Sequence, residues 1–276
     1  MTPGAGLSAK RERLRDLLAS LESVVVAFSG GVDSAYLSWA ATEVLGSAAL
    51  CVTAESPSYP DRHRQLARRV ADDFALRHEI IHTFELDRPE YRANPVNRCY
   101  YCKRELYSTL TEMAAERGFV SVADGSNADD RGDYRPGRQA AREFGVRSPL
   151  DEAELTKADI RELSRDAGLP TWDEPASACL SSRIPYDSPI TDEALRMIER
   201  AEHLLHELGF RVVRVRHHDN LARLEIGRDE LSRAFAPDMC DRLVRAVRAV
   251  GYQHVTIDLQ GYRMGSLNEG VRLRPV

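Results

Sequence analysis

Lysine is nearly absent from this chain: of 38 basic residues only Lys10, Lys103 and Lys157 are lysines, the rest being arginine. That bias is the mark of a GC-rich genome and points to neither heat adaptation nor nucleic-acid binding. Long apolar runs are missing too. None approaches the roughly 18 residues of a membrane span, and Met1 to Lys10 hold no apolar segment of a signal peptide. A cytoplasmic location without membrane partners is expected. Positive charge is in deficit, with a formal net charge of -5, which argues against tRNA or another nucleic acid as the main partner. The five cysteines, Cys51, Cys99, Cys102, Cys179 and Cys240, are odd in number and uneven in spacing. A disulfide framework is therefore not expected, which leaves chemistry or metal binding for some of them. What is present is ordinary for a globular protein: 276 residues, 43% hydrophobic and 29% charged, enough for one or two domains, with two preferred.

The apolar run Val24-Val25-Val26-Ala27-Phe28 leads directly into Ser29-Gly30-Gly31-Val32-Asp33-Ser34 and then into a helical pattern. Two glycines and the first turn of a helix direct backbone N–H groups at one spot, and the helix dipole adds positive potential there. An anion is the expected guest. A Walker A loop would need a lysine after its glycines, and a dinucleotide fold would need Gly-x-Gly-x-x-Gly; both are missing. An ordinary tight turn between strand and helix is the alternative.

Strand and helix then alternate. An amphipathic helix over 8–21 precedes the first strand; helices are expected at 35–45, 61–74 and 102–117, the last capped by Gly118, and strands at 48–54, 79–81 and 119–123. This rhythm predicts an α/β fold with a parallel sheet covered on both faces and ligands at the carboxyl ends of its strands. After a helix at 157–167 and an irregular stretch rich in proline and serine, a second unit follows. It comprises a helix capped by Thr191, strands at 212–216 and 222–226, a helix at 238–250 and a strand at 255–259. The expected division is 1–187 and 188–276, the second unit being a smaller α/β domain for substrate binding or oligomerisation.

Three further segments carry candidate chemistry. Asp124-Gly125-Ser126-Asn127-Ala128-Asp129-Asp130, followed by Asp133-Tyr134-Arg135-Pro136-Gly137, offers oxygen ligands at a strand end, suited to magnesium and phosphate-bound water. A polar surface loop is the bland reading. Cys179 stands among small residues, Ala176, Ser177, Ala178, Ser181 and Ser182, four before Arg183, whose charge favours a thiolate; inert burial is the alternative. Arg214 and Arg216 share one side of a strand by their spacing of two and could grip a phosphate, unless that face is merely solvated.

Ser-Gly-Gly-Val-Asp-Ser resembles the signature of the PP-loop ATP pyrophosphatases, which cut ATP between the α and β phosphates and adenylate a substrate. The stretch around Cys179, the segment Asn97-Arg98-Cys99-Tyr100-Tyr101-Cys102-Lys103, the segment Asp124 to Gly137, and Val213 to His218 resemble one branch, the LarE sacrificial sulfur transferases. The resemblance runs from about residue 20 to 230. It implies a PP-loop domain in which Ser29, Gly30, Gly31 and Ser34 hold pyrophosphate oxygens, with Thr53, Gly125, Asn127 and Asp129 also at ATP. Asp33 faces magnesium or the loop itself, and Asp130 is a candidate magnesium ligand. The implied substrate is a pyridinium mononucleotide, its phosphate on Arg214 and Arg216, its carboxylate adenylated and then attacked by Cys179, with Arg183 orienting phosphate or carboxylate. The product feeds the nickel-pincer cofactor of lactate racemase, and relatives assemble as homo-oligomers. Sulfur then comes either from Cys179 itself, leaving dehydroalanine, or from sulfide on a four-iron cluster held by Cys99, Cys102 and Cys179. Cys51 and Cys240 read as structural. Other readings are a PP-loop tRNA thiolase, or a non-enzymatic ATP-sensing module that would release no pyrophosphate. A GMP or asparagine synthetase is disfavoured because only 28 residues precede the loop.

Overall fold

The computed structural model describes residues 3–132, 135–175, 178–263 and 265–266; Asp133, Tyr134, Ala176 and Ser177 from the segments above lie outside the described residues. Its first sheet follows from apolar β-branched runs. Strands β1 (Val24–Ala27), β2 (Ala49–Glu55), β3 (His78–His82) and β4 (Ser121–Ala123) are all parallel, in the order β3-β2-β1-β4. Side chains alternate between faces as a pleat requires. Val24, Val26 and Cys51 pack with α1 (Pro3–Ala19), α2 (Val32–Leu45), α3 (Asp61–Asp73) and α8 (Lys157–Asp166). Val25, Leu50 and Val52 pack instead with α5 (Arg98–Glu116) and α6 (Gly137–Glu143). Coverage on both faces explains why the inner strands β1 and β2 read as continuous apolar runs, whereas the edge strand β3 does not. Leu14 and Leu18 of α1 are fully buried, each contributing about 1.5–3 kcal/mol.

The strand order places the reversal of winding between β1 and β4, so the loops after these two strands flank the crevice where an open α/β sheet binds ligands. A parallel bridge from Ala123 to Arg147 extends the sheet beyond β4.

Three differences from the sequence expectation bear on the site. Helix α5 starts at Arg98, four residues earlier than expected, and Asn97 makes no capping bond that would have marked the start. Cys99 and Cys102 therefore share one helical face at its first turn. Strand β4 is shorter than expected, because Phe119 donates its N–H to Ala114 O to close α5 at 2.9 Å. Short helices α4 (Pro89–Arg92) and α7 (Pro149–Glu152) occupy stretches for which no element was expected.

The C-terminal region holds a mixed sheet, β5 (Val213–His218) antiparallel to β6 (Leu221–Ile226), which pairs in parallel with β7 (His254–Ile257). Thr191 caps α9 (Asp192–Glu207) by accepting the Ala194 N–H. Helices α9 and α11 (Pro237–Arg248), which follows the short α10 (Leu231–Ala234), cover the apolar face of this sheet. A smaller cluster joins Leu86 and Tyr91 to Leu180, Ile184, Ile190 and Ile198. The boundary proposed between 1–187 and 188–276 thus crosses shared apolar packing at a turn, where Asp187 donates its N–H to Asn94 O. No helix among the described residues is long and apolar enough to cross a membrane.

Candidate active site

The glycine loop is shaped by its own serines. Ser34 Oγ accepts the Ser29 N–H at 3.1 Å and lies 3.0 Å from Ser29 Oγ, folding the segment back on itself. Gly30 sits at φ +66°, and a Cβ there would come within 3.0 Å of His63 O and Ala67 N on α3, so both conformation and close approach demand glycine. Gly31 is different. Its φ is an ordinary -75°, and an added Cβ would meet nothing nearer than Ser29 Oγ at 3.6 Å. Packing within the protein does not account for this glycine; open main chain for a guest does. Among the described residues, the N–H groups of Gly30 to Ser34 have no protein acceptor. The loop is thus open to an anion such as a phosphate group.

Gly125, at the start of the loop after β4, closes the crevice from the other side. A Cβ at this position would lie 3.0 Å from Ser34 N and 3.2 Å from Ser34 Cα. The rest of that loop is braced internally. Asp130 accepts the Asn127 N–H on one carboxylate oxygen and pairs with Arg135 at 2.8 Å on the other, while Asn127 Oδ1 accepts the Asp129 N–H. Asp130 as folded therefore does not offer the magnesium ligand expected of it. Burial, with the Asp33 charge among the lesser causes, pushes its carboxyl up. Asp33 Oδ1, by contrast, is buried without a hydrogen-bond partner among the described residues, and it fits a cation. Asp33 Oδ2 is held by Lys157 Nζ at 2.5 Å.

Thr53, expected at ATP, is turned inward. Only 1% exposed, it donates its hydroxyl to Phe28 O at 2.8 Å and meets His78 Nε2 at 2.8 Å, locking β1 to β3. Since the one hydroxyl proton goes to Phe28, His78 donates from Nε2.

The cysteine loop is brought to the glycine loop by two adjacent residues. Leu180 donates its N–H to Ser58 O at 2.8 Å, and Tyr59 donates its hydroxyl to Ser29 O at 3.0 Å. Ser58 is fixed in turn by buried Glu85, which accepts both the Ser58 hydroxyl at 2.7 Å and the Ser56 hydroxyl at 2.5 Å. Cys179 is half-buried. Arg183, expected to grip a ligand, has its planar fork filled by the protein. Nε and Nη2 form a two-bonded pair with Glu202 at 2.9 Å, and Nη1 donates to the carbonyls of Ala178 and Cys179 and to the Ser182 hydroxyl. In this arrangement it holds the cysteine loop onto α9. Burial opposes the charge on Glu202, but the Arg183 guanidinium outweighs it and keeps the carboxyl below its ordinary range.

Arg214 and Arg216 do share the face of β5 opposite Val213 and Val215, and that face is buried against the cysteine loop. Arg216, expected at the phosphate, pairs with the fully buried Glu225 at 2.7 Å and donates to Ser182 O at 2.8 Å, while its Nε has no partner among the described residues. Arg214 stacks on Tyr262, 5.1 Å from the ring centre, and lines a cavity of about 630 Å³ with His63, Arg183, Glu199, Glu202 and His206. Burial, then the charges of Arg62, Arg214 and Arg183, pull His63 down to about 4, so its ring is neutral at pH 7. This cavity backs onto the glycine loop through the His63–Gly30 contact.

Cys99 and Cys102 lie within electrostatic range of Cys179. Burial, then the charges of Glu85 and Cys179, push the Cys102 thiol well up. Desolvation and the Cys179 charge raise Cys99; because Cys99 is exposed to solvent, the charge is the firmer cause. Among the described residues, no three His, Cys, Asp or Glu side chains are gathered to hold a metal ion. As arranged, the three cysteines do not fit a four-iron cluster, and no step is derived through one. Cys51 is buried in the core with its thiol pushed up to about 11 by that burial, and Cys240 donates to Ala234 O.

No protein-family model matches the chain. It is 35% identical over 266 residues to pyridinium-3,5-bisthiocarboxylic acid mononucleotide synthase of Lactiplantibacillus plantarum, covering 96% of each chain. The chain belongs to the LarE family. LarE similarity extends to an uncharacterized protein of Synechocystis, 44% identical over 95% of this chain and 98% of the relative. A second uncharacterized relative, from Methanocaldococcus jannaschii, is 29% identical over 88% of this chain and 91% of its own. With family and geometry together, sequence reasoning missed Lys157, the Ser58–Tyr59 link, Glu85 and Glu202. Lys157 alone had a signal, as one of three lysines in an arginine-rich chain.

Proposed function

We propose that this chain is an ATP-dependent sulfur transferase that adenylates a carboxylate of a pyridinium mononucleotide and converts it to a thiocarboxylate, a step toward the nickel-pincer cofactor. The observation that carries the reading is the Ser58–Tyr59 link, which sets the cysteine loop beside the glycine loop. Similarity along nearly the whole chain to a synthase named for a bisthiocarboxylic acid mononucleotide supports the substrate class.

In this reading the N–H groups of Gly30 to Ser34 receive the phosphates, which leave as pyrophosphate when the carboxylate attacks the α phosphorus. Magnesium, held at Asp33 Oδ1, would supply charge neutralisation for that leaving group. The acyl adenylate makes the carbonyl attackable, and the Cys179 thiolate displaces AMP to give a thioester. Breaking the Cys179 Cβ–Sγ bond, with loss of the Cα proton, then releases the thioacid and leaves dehydroalanine. The mononucleotide would occupy the 630 Å³ cavity, where Arg214 offers positive charge to its phosphate and neutral His63 adds no charge against the cationic ring.

The test is pyrophosphate release with the pyridinium mononucleotide, with intact-mass analysis after turnover. Wild type is expected to release pyrophosphate and lose one hydrogen sulfide from Cys179; Cys179→Ala keeps pyrophosphate release and forms no thiocarboxylate. Absence of pyrophosphate would end the enzyme reading, and release only with tRNA would favour a thiolase. Unchanged mass over many turnovers, with iron bound to anaerobically purified protein, would replace the sacrificial step by cluster-borne sulfide.

A further inference from the structure

Lys157 has no part in the scheme above, yet it touches both walls of the nucleotide crevice. Its position is fixed by a helix start. Thr156 caps α8 by accepting the Asp159 N–H, and Asp159 returns a bond to the Thr156 N–H, a reciprocal capping box. Lys10 Nζ bonds Asp159 Oδ2 at 2.6 Å, tying α1 to the same turn. Immediately before it, Leu155 O accepts the Ala128 N–H at 2.9 Å. From this anchor the Lys157 N–H donates to Asp129 Oδ2 at 2.8 Å in the loop after β4, and its Nζ reaches Asp33 Oδ2 at 2.5 Å in the loop after β1. One residue thus spans the point where the sheet reverses its winding.

The consequence for Asp33 is specific. Asp33 sits in the first turn of α2, among N–H groups that face an anion, and a freely rotating carboxylate there could fold back onto those donors. Lys157 occupies Oδ2 and holds the carboxylate away from them, which leaves Oδ1 buried without a partner. A buried orphan oxygen is costly unless something answers it. We propose that Lys157 is a positioning residue that clamps Asp33 by Oδ2 so that Oδ1 is presented to magnesium-bound ATP, while its main chain fixes the spacing between the two loops. The inference rests on the reading of the glycine loop as an ATP site.

The experiment is calorimetric titration of the full-length protein with ATP and magnesium, without pyridinium substrate, in wild type, Lys157→Met, Lys157→Arg, Asp33→Asn and the double variant Asp33→Asn/Lys157→Met. Lys157→Met is expected to weaken binding by about tenfold or more, about 1.4 kcal/mol per factor of ten. Lys157→Arg restores part of that loss. Because Lys157 acts through Asp33, adding Lys157→Met to Asp33→Asn weakens binding less than about twofold further, a non-additivity expected of groups in contact. Thermal melts check that the variants fold, which a Lys157 side chain 32% exposed permits. Equal binding by wild type and Lys157→Met overturns the inference, and so does an undiminished loss in the Asp33→Asn background. Failure of wild type to bind ATP would instead overturn the nucleotide reading on which it depends.

Discussion

Replacing Arg183 with methionine keeps most of the side-chain volume and removes the guanidinium from a place where it is 1% exposed. Two consequences follow from the structure. Glu202 loses both of its 2.9 Å bonds to Arg183 and retains the Val215 N–H at 3.0 Å, so a carboxylate is left buried with one donor. The carbonyls of Ala178 and Cys179 lose a charged donor. Breaking a buried pair from one side costs about 3–5 kcal/mol, which for a chain of this size lowers the thermal midpoint by roughly 6–20 °C. The loss depends on pH, and the sign can be worked out. In wild type the Glu202 carboxyl is held below its ordinary value, so its contribution is present above that value and lost as pH falls through the folded one. In Arg183→Met, burial without the cation pushes the same carboxyl up, and protonation relieves the variant as the solution is acidified. Urea unfolding at about pH 7.5 and about pH 5 is expected to show the larger difference between the two proteins at the higher pH. The double variant Arg183→Met/Glu202→Leu, which removes both charges, should recover most of the loss. A deficit below about 1 kcal/mol, or one of equal size at both pH values, would refute a role for Arg183 as the charged anchor of the cysteine loop.

Gly125→Ala places a methyl 3.0 Å from Ser34 N, where backbone must yield; overpacking of this kind costs about 1–3 kcal/mol, and the affinity for ATP should fall about tenfold, measured by titration on protein that still melts cooperatively. His63 is held neutral down to about 4, so its contribution is intact above its ordinary value of 6.5 and lost as pH falls toward 4. His63→Gln should therefore flatten the stability profile between those two values, followed by urea midpoints across that range; an unchanged profile would show that other groups govern acid lability.

Much of the fold was legible because its signals are local. Val24 to Ala27, Ala49 to Glu55 and the Thr191 cap announced themselves by apolar runs and a cap. So did the glycine loop, whose two glycines have different reasons: one is needed for packing on α3, the other left open. The start of α5 was not legible because Asn97 caps nothing. The inward commitments of Arg183, Arg216 and Thr53 were hidden for a different reason. Each depends on a partner 19, 9 or 25 positions away, Glu202, Glu225 and Phe28, brought near only by tertiary packing. An arginine's sequence neighbours do not say whether its fork faces a ligand or the protein.

The tethers of the cysteine loop share a property with a consequence for the fate of the molecule. Arg183 holds the carbonyls of Ala178 and Cys179, Ser58 holds the Leu180 N–H, Arg216 holds Ser182 O, and Asn94 donates to the carbonyls of Ile184, Pro185 and Ser188. Among the described residues, none of these bonds involves the Cys179 sulfur. A chain stripped of that one atom would keep each of these struts. If Cys179 gives up its sulfur as proposed, the spent chain would melt and compete for nucleotide like a fresh copy, and a pool of the protein would age chemically with no sign of unfolding to mark its older members.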